Sequence, residues 1–102
     1  MSIKAELAPM HPGEILDELY LTPLNLSAGA LAKRLGVPRT RIERLVKGST
    51  GVTTDTALRL GRFFRSSPDM WLNMQTSWDL VIERAETIEE LNAIEPLEQE
   101  VA

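Results

Sequence analysis

Apolar residues along this chain recur at three- and four-residue spacing between Gly and Pro breaks, and nowhere alternate as a half-buried strand would. The first helix signal is His11-Pro12-Gly13-Glu14. Proline suits a first helical position, where its missing N–H would have had no partner, and Glu14 and Asp17 suit the positive end of the dipole. Ile15, Leu16 and Leu19 follow at helical spacing, and Thr22-Pro23 reads as the end of this element. Ser27 is a good N-cap for a second helix with Ala30, Leu31, Ala32 and Leu35 on its apolar face, and Gly36 stops it. Pro38 opens a third, carrying Ile42, Leu45 and Val46 inward, and Gly48 closes it. The polar loop Ser49-Thr50-Gly51 leads to Thr53 or Thr54 as cap of a fourth helix ending near Phe64. Ser67-Pro68-Asp69 starts a fifth, containing Trp71 and Leu72 and running on through Trp78, Leu80 and Val81. Thr87-Ile88-Glu89-Glu90 has capping-box spacing, with Ile88, Leu91 and Ile94 on one side before Pro96. The pattern predicts an all-α fold of five to six helices. The residues from Glu95 to Ala102 read as frayed, while Ile3, Leu7 and Met10 hint that the N-terminal segment packs.

Composition narrows the chemistry. A chain of 102 residues holds one domain, and 43% hydrophobic with 25% charged residues is ordinary for a globular protein. No stretch is long and apolar enough for a membrane span, and the N-terminus lacks the charged and apolar regions of a secretory signal. With no Cys there is no disulfide, thiolate metal site or thiol nucleophile, which fits a reducing cytoplasm, and the single His11 cannot build a histidine metal cluster. His11, before a proline at a helix start, reads as a capping or packing residue. No motif sets two carboxylates beside a nucleophile or metal shell, so neither an enzyme nor a cofactor is expected.

Charge changes the picture further, because the net −4 conceals a partition. From Ser27 to Arg65, nine cations (Lys33, Arg34, Arg39, Arg41, Arg44, Lys47, Arg59, Arg62 and Arg65) stand against Glu43 and Asp55, a net +7. From Ser66 onward Arg84 alone faces nine acids, a net −8, and residues 1–26 carry −3. A basic middle is the electrostatic footprint of a polyanion binder, since phosphate contacts release condensed counterions.

The second and third helices give that footprint a shape. Two short helices joined by a tight Gly turn are a helix-turn-helix pattern. Here it spans Ala28 to Lys47, with small Ala32 at the crossing and Ile42, Val37 and Leu45 filling the wedge. At about 100° per residue, Ile42, Leu45 and Val46 define the buried side of the third helix, and Thr40, Arg44 and Lys47 point the opposite way. Arg bonds a guanine edge bidentately and Thr reaches a base edge or a thymine methyl. Arg39 lies on the first turn, where a recognition helix inserts. Arg39, Thr40 and Arg44 are therefore the candidate base contacts. Ser27, Lys33, Arg41, Lys47, Ser49, Thr50 and Thr53 are the candidate phosphate contacts.

These residues also carry a family resemblance. His11-Pro12-Gly13-Glu14-Ile15-Leu16, Leu31-Ala32-Lys33-Arg34-Leu35-Gly36-Val37-Pro38-Arg39, Arg41-Ile42 and Val46-Lys47-Gly48 come first. Thr53-Thr54-Asp55-Thr56-Ala57-Leu58-Arg59-Leu60, Phe63-Phe64 and Trp71-Leu72-Asn73-Met74-Gln75 follow in order. Together they cover most of residues 11–86, and the chain resembles the HigA-type antitoxins, Cro-type (lambda-repressor-like) helix-turn-helix repressors of bacterial toxin–antitoxin operons. The resemblance implies a homodimer that binds an operator in its own promoter and neutralises a small basic mRNA-cleaving toxin of the HigB or RelE kind. Two departures stand out: Ala28 replaces the Gln that the family commonly has after the capping Ser, and the tail after Glu86 is longer and more acidic.

The residues divide the chain into a helix-turn-helix domain, 11–75, and an acidic helical extension, 76–102, serving a dimer or the toxin. Trp71 and Leu72 read as core. Trp78, Leu80, Val81 and Ile82 supply more apolar surface than one short helix can hide, and an isologous pair would bury the surplus. Nine acids would repel DNA and attract a basic partner. The competing readings are a stand-alone repressor without a toxin and an acidic protein-interaction module.

Overall fold

The computed structural model describes residues 9–98, in which every regular element is a helix. Ile3, Leu7 and the chain beyond residue 98 lie outside the described residues.

The segments Pro12–Ile15, Leu16–Leu21 and Thr22–Leu24 follow one another without a break and together form α1. Helix α2 is Ala28–Leu35, α3 Arg39–Val46, α4 Thr54–Phe64, α5 Pro68–Glu86 and α6 Ile88–Ala93. Most caps are those the sequence predicts. The Ser27 hydroxyl accepts from Ala30 N–H at 3.0 Å and Thr53 Oγ1 from Thr56 N–H at 3.2 Å, each satisfying a donor that the first turn leaves unpaired. Gly36 and Gly48 take φ of 74° and 79°, a region where a side chain would be strained.

Three local readings need correction. Helix α1 does not end at Thr22-Pro23. Its middle is a π-turn, in which Thr22 N–H reaches back five residues to the Asp17 carbonyl. In a regular helix the Pro23 ring would press on the carbonyl four residues earlier, and the widened ladder relieves that clash. The chain therefore stays helical until Asn25, which turns it at φ 53°. The same turn changes the buried face: Leu16 and Leu21, five apart, are buried, whereas Leu19 is 64% exposed. Second, Ala30 faces solvent; α2 buries Leu31, Ala32 and Leu35. Third, Thr87 forms no capping box. Its hydroxyl donates back to the Glu83 carbonyl at 2.8 Å, so the side chain closes α5, and only the Thr87 carbonyl, accepting from Leu91 N–H at 2.9 Å, opens α6.

The core lies among α1 to α4 and the first half of α5. Leu16, Leu21, Leu31, Ala32, Leu35, Ile42, Leu45, Val52, Ala57, Leu60 and Trp71 are all buried. Trp71 is enclosed, with Tyr20 and Phe64 against it and its indole N–H donating to Ser66 Oγ at 3.0 Å. Leu72 and Met74 still pack against the core, and beyond Trp78 α5 leaves it. The radius of gyration is 17.3 Å, against about 12 Å for a compact globule of this length. The excess is an arm made of the second half of α5 and α6. Along it Leu80, Val81, Ile82, Ile88, Leu91 and Ile94 are exposed. Among the described residues no helix is long and apolar enough to cross a membrane.

Candidate nucleic-acid interface

Burial of Ile42 and Leu45, each at most 1% exposed, fixes the rotation of α3. With that side held down, Arg39, Thr40, Arg41, Arg44 and Lys47 are all exposed. The helix is set against α1 at very close range. A Cβ built on Gly13 would lie 1.7 Å from the Leu45 carbonyl oxygen, so only glycine permits the crossing.

The five side chains have distinct settings. Arg39 runs its stem over α2, where a Cβ on Gly29 would meet Arg39 Cδ at 2.8 Å, and its Nε pairs with Glu43 at 3.1 Å. That pair is exposed and costs little to open. Arg41 donates to Asp55 at the start of α4, and Asp55 also takes Arg59 Nε at 3.0 and 3.1 Å. Those hydrogen bonds, Arg41's first, hold the Asp55 carboxyl below its usual range. Arg59 then donates to the Leu35 carbonyl at 2.8 Å, tying α4 to the C-terminus of α2. Arg44 and Lys47 have no ion-pair partner among the described residues.

The loop between α3 and α4 completes the surface. Ser49 Oγ donates to the Arg44 carbonyl at 3.2 Å, closing α3, and Thr50 is exposed beside it. Thr40, Arg41, Arg44, Thr50, Thr53 and Asp55 line one open groove. Lys33 and Ser27 are exposed on α2 and at its capped start. The structure thus brings Thr40, Arg41, Arg44, Thr50 and Thr53 into one depression, with Arg39 and Lys47 on the same helix and Ser27 and Lys33 on its neighbour.

Four supporting residues were missed by the sequence reasoning. Asp55 and Arg59 stand four apart on a helix, a legible pairing, but nothing local signals that Arg41 joins them. Gln75 accepts from Val52 N–H at 2.7 Å and donates to Asp79 at 2.9 Å, so α5 holds the loop from behind. Gly29 gives room to Arg39. His11 caps α1 through Nδ1, which accepts from Gly13 N–H at 2.9 Å, and its ring stands edge-on to Trp78 at 5.2 Å. Trp78 is accordingly half-buried against the body, unlike its exposed neighbours Leu80, Val81 and Ile82.

The chemistry is that of a polyanion-binding face. It is a convex helix with planar guanidinium donors, flanked by two capped helix starts and backed by a packed core.

Comparison with known proteins points the same way. The sequence profile of a helix-turn-helix family fits residues 18–71. Virulence-associated protein I of Dichelobacter nodosus is 49% identical over 94 residues, covering 92% of this chain and 86% of its own. Antitoxin HigA-1 of Vibrio cholerae is 32% identical over 94 residues, 92% of this chain and 89% of its own. Among solved structures, that of the Pseudomonas aeruginosa antitoxin HigA with the higBA promoter superposes with a TM-score of 0.85 at 36% identity. It covers 88% of this chain and 99% of the other.

Proposed function

Since the chain belongs to this helix-turn-helix family, with HigA antitoxins among its structural neighbours, we propose that it is an antitoxin and autorepressor: as a homodimer it binds operator DNA in its own promoter and neutralises a cognate mRNA-cleaving toxin of the HigB or RelE kind. The observation that carries the DNA half is the rotation of α3. Ile42 and Leu45 are buried and Val46 partly so, and Arg39, Thr40 and Arg44 are left exposed on one basic face. In this reading those three contact base edges. Ser27, Lys33, Arg41, Lys47, Ser49, Thr50 and Thr53 contact phosphates and fix the register.

One module of this size makes few base contacts, so two half-sites are needed for specificity. The exposed Leu80, Val81 and Ile82, with Trp78 at their inner end, form the face through which a second copy is held. The acidic extension then lies away from the phosphates and is available to a basic toxin.

The test is a titration against DNA from immediately upstream of the gene, at two salt concentrations. Wild type should bind an inverted repeat tightly, with affinity falling steeply as salt rises. Arg39→Ala/Arg44→Ala should bind it at least roughly tenfold more weakly, with the dimer still folded, because each good bidentate base contact is worth about 1–3 kcal/mol. Equal affinity for the upstream DNA and for random sequence would refute the repressor reading. The toxin half is tested separately, by co-expression with the small basic protein encoded beside the gene. Rescue of growth supports it; continued mRNA cleavage alongside soluble antitoxin would leave a stand-alone repressor.

A further inference from the structure

Asp55 is out of place on this face. It is one of two acids among the nine cations of residues 27–65, and it lies inside the groove formed by Thr40, Arg41, Arg44, Thr50 and Thr53. Glu43, the other acid, pairs with its own helix neighbour Arg39. Asp55 instead reaches across from α4 to take Arg41, on the outward side of α3, while its second partner Arg59 is held from behind by the Leu35 carbonyl. The two arginines are therefore not equivalent. Arg59 is tied into the fold by two acceptors. Arg41 is held by the carboxylate alone, and its side chain is 40% exposed. Within the groove the Arg41 guanidinium is thus already paired with a carboxylate.

We propose that Asp55 is a built-in counter-anion: in the unbound protein its carboxylate stands at Arg41 where a DNA phosphate stands in the complex, and it thereby lowers affinity for DNA of arbitrary sequence. The inference rests on the DNA-binding reading above. On an incorrect site the exchange of carboxylate for phosphate at Arg41 gains little, because one ion pair replaces another and Asp55 is left facing the backbone. On the operator the same exchange is made, and the base contacts of α3 supply the affinity that random sequence lacks. Asp55 thus sets the level of backbone-driven affinity without touching a base.

The experiment compares wild type with Asp55→Asn on a random-sequence duplex and on the upstream DNA, across a salt series, with thermal melting as the check on folding. Asp55→Asn should bind random sequence about two- to fivefold more tightly, the range spanned by exposed ion pairs, with a salt dependence steeper by about one charge. Its affinity for the upstream DNA should rise by a similar factor, since the phosphate at Arg41 is present on every sequence. Adding Arg41→Gln should abolish the gain, since the two residues act through each other. Random-sequence affinity that is unchanged or lower in a folded Asp55→Asn protein would overturn the proposal and make Asp55 a scaffold for Arg41. Should Asp55→Asn fail to fold, the comparison of Arg41→Gln with Arg44→Gln decides. The compensated Arg41 should cost less random-sequence affinity than Arg44, and an equal cost would overturn the idea. A wild type that binds neither duplex removes the DNA-binding reading itself, a result distinct from any of these.

Discussion

Gly13 shows how much one residue can decide. A methyl group there would collide with the Leu45 carbonyl, which is backbone and cannot swing aside. Gly13→Ala should therefore separate α1 from α3 and lower stability by more than about 3 kcal/mol, read as a denaturant midpoint, because overpacking against fixed atoms has no cheap relaxation. His11 carries a second residue-scale consequence. Burial lowers its pKa from 6.5, against the opposing pull of Asp79, Glu14 and the Thr50 carbonyl. The cap needs an unprotonated Nδ1, which agrees with that direction. A lowered folded pKa means that the unfolded chain takes up the proton first, so His11's contribution is complete above pH 6.5 and is lost as pH falls toward the folded value. Urea unfolding at pH 7.5 and 5.5 should show this loss, and His11→Asn, which can still cap, should remove most of the pH dependence. At this scale the sequence was legible wherever one residue type answers a backbone demand. Gly36, Ser27 and Thr53 are read from propensity alone. The Gly13 crossing could not be, since its partner lies 32 positions along the chain.

At the scale of elements, α3 was the most legible. Its buried and outward faces follow from the period of 3.6, Pro38 and Gly48 bound it, and Ile42 and Leu45 are buried where the wheel places them. The first helix was not, because a π-turn inserts one residue into the period and converts Leu16 and Leu21 into partners at the expense of Leu19. The loop after α3 was equally opaque: its anchor, Gln75, lies 23 residues from Val52. Gln75→Ala leaves the Val52 amide without that acceptor and should cost about 1–2 kcal/mol, measured by thermal melting. It should also weaken DNA binding more than that loss of folded protein explains, because the loop carries Thr50 and Thr53. Equal losses in both assays would make Gln75 a stability residue only. Helix α5 was correctly extended past Trp78, while the role of Trp78 against His11 depends on a contact 67 positions away and left no local mark.

At the scale of the whole molecule, the partition of charge becomes a partition of space. The basic segment is folded around α2 to α4, and the acidic one forms the arm. That arm exposes Leu80 at 52%, with Val81 and Ile82 each at 37%, on a chain too extended to cover them itself. Leu80→Glu/Ile82→Glu should give a folded monomer by sedimentation, with operator affinity falling to that of a single half-site. A dimer that persists would move the interface elsewhere. In the proposed dimer the two ends of the molecule act together, with α5 holding two copies of α3 one helical turn apart on the DNA. Hydroxyl-radical footprinting of the wild type on the upstream DNA reads that spacing. Two protected patches on one face of the duplex, about ten base pairs apart and lost together in Arg39→Ala/Arg44→Ala, are predicted. A single patch, or protection spread evenly along the DNA, would rule out the proposed dimer.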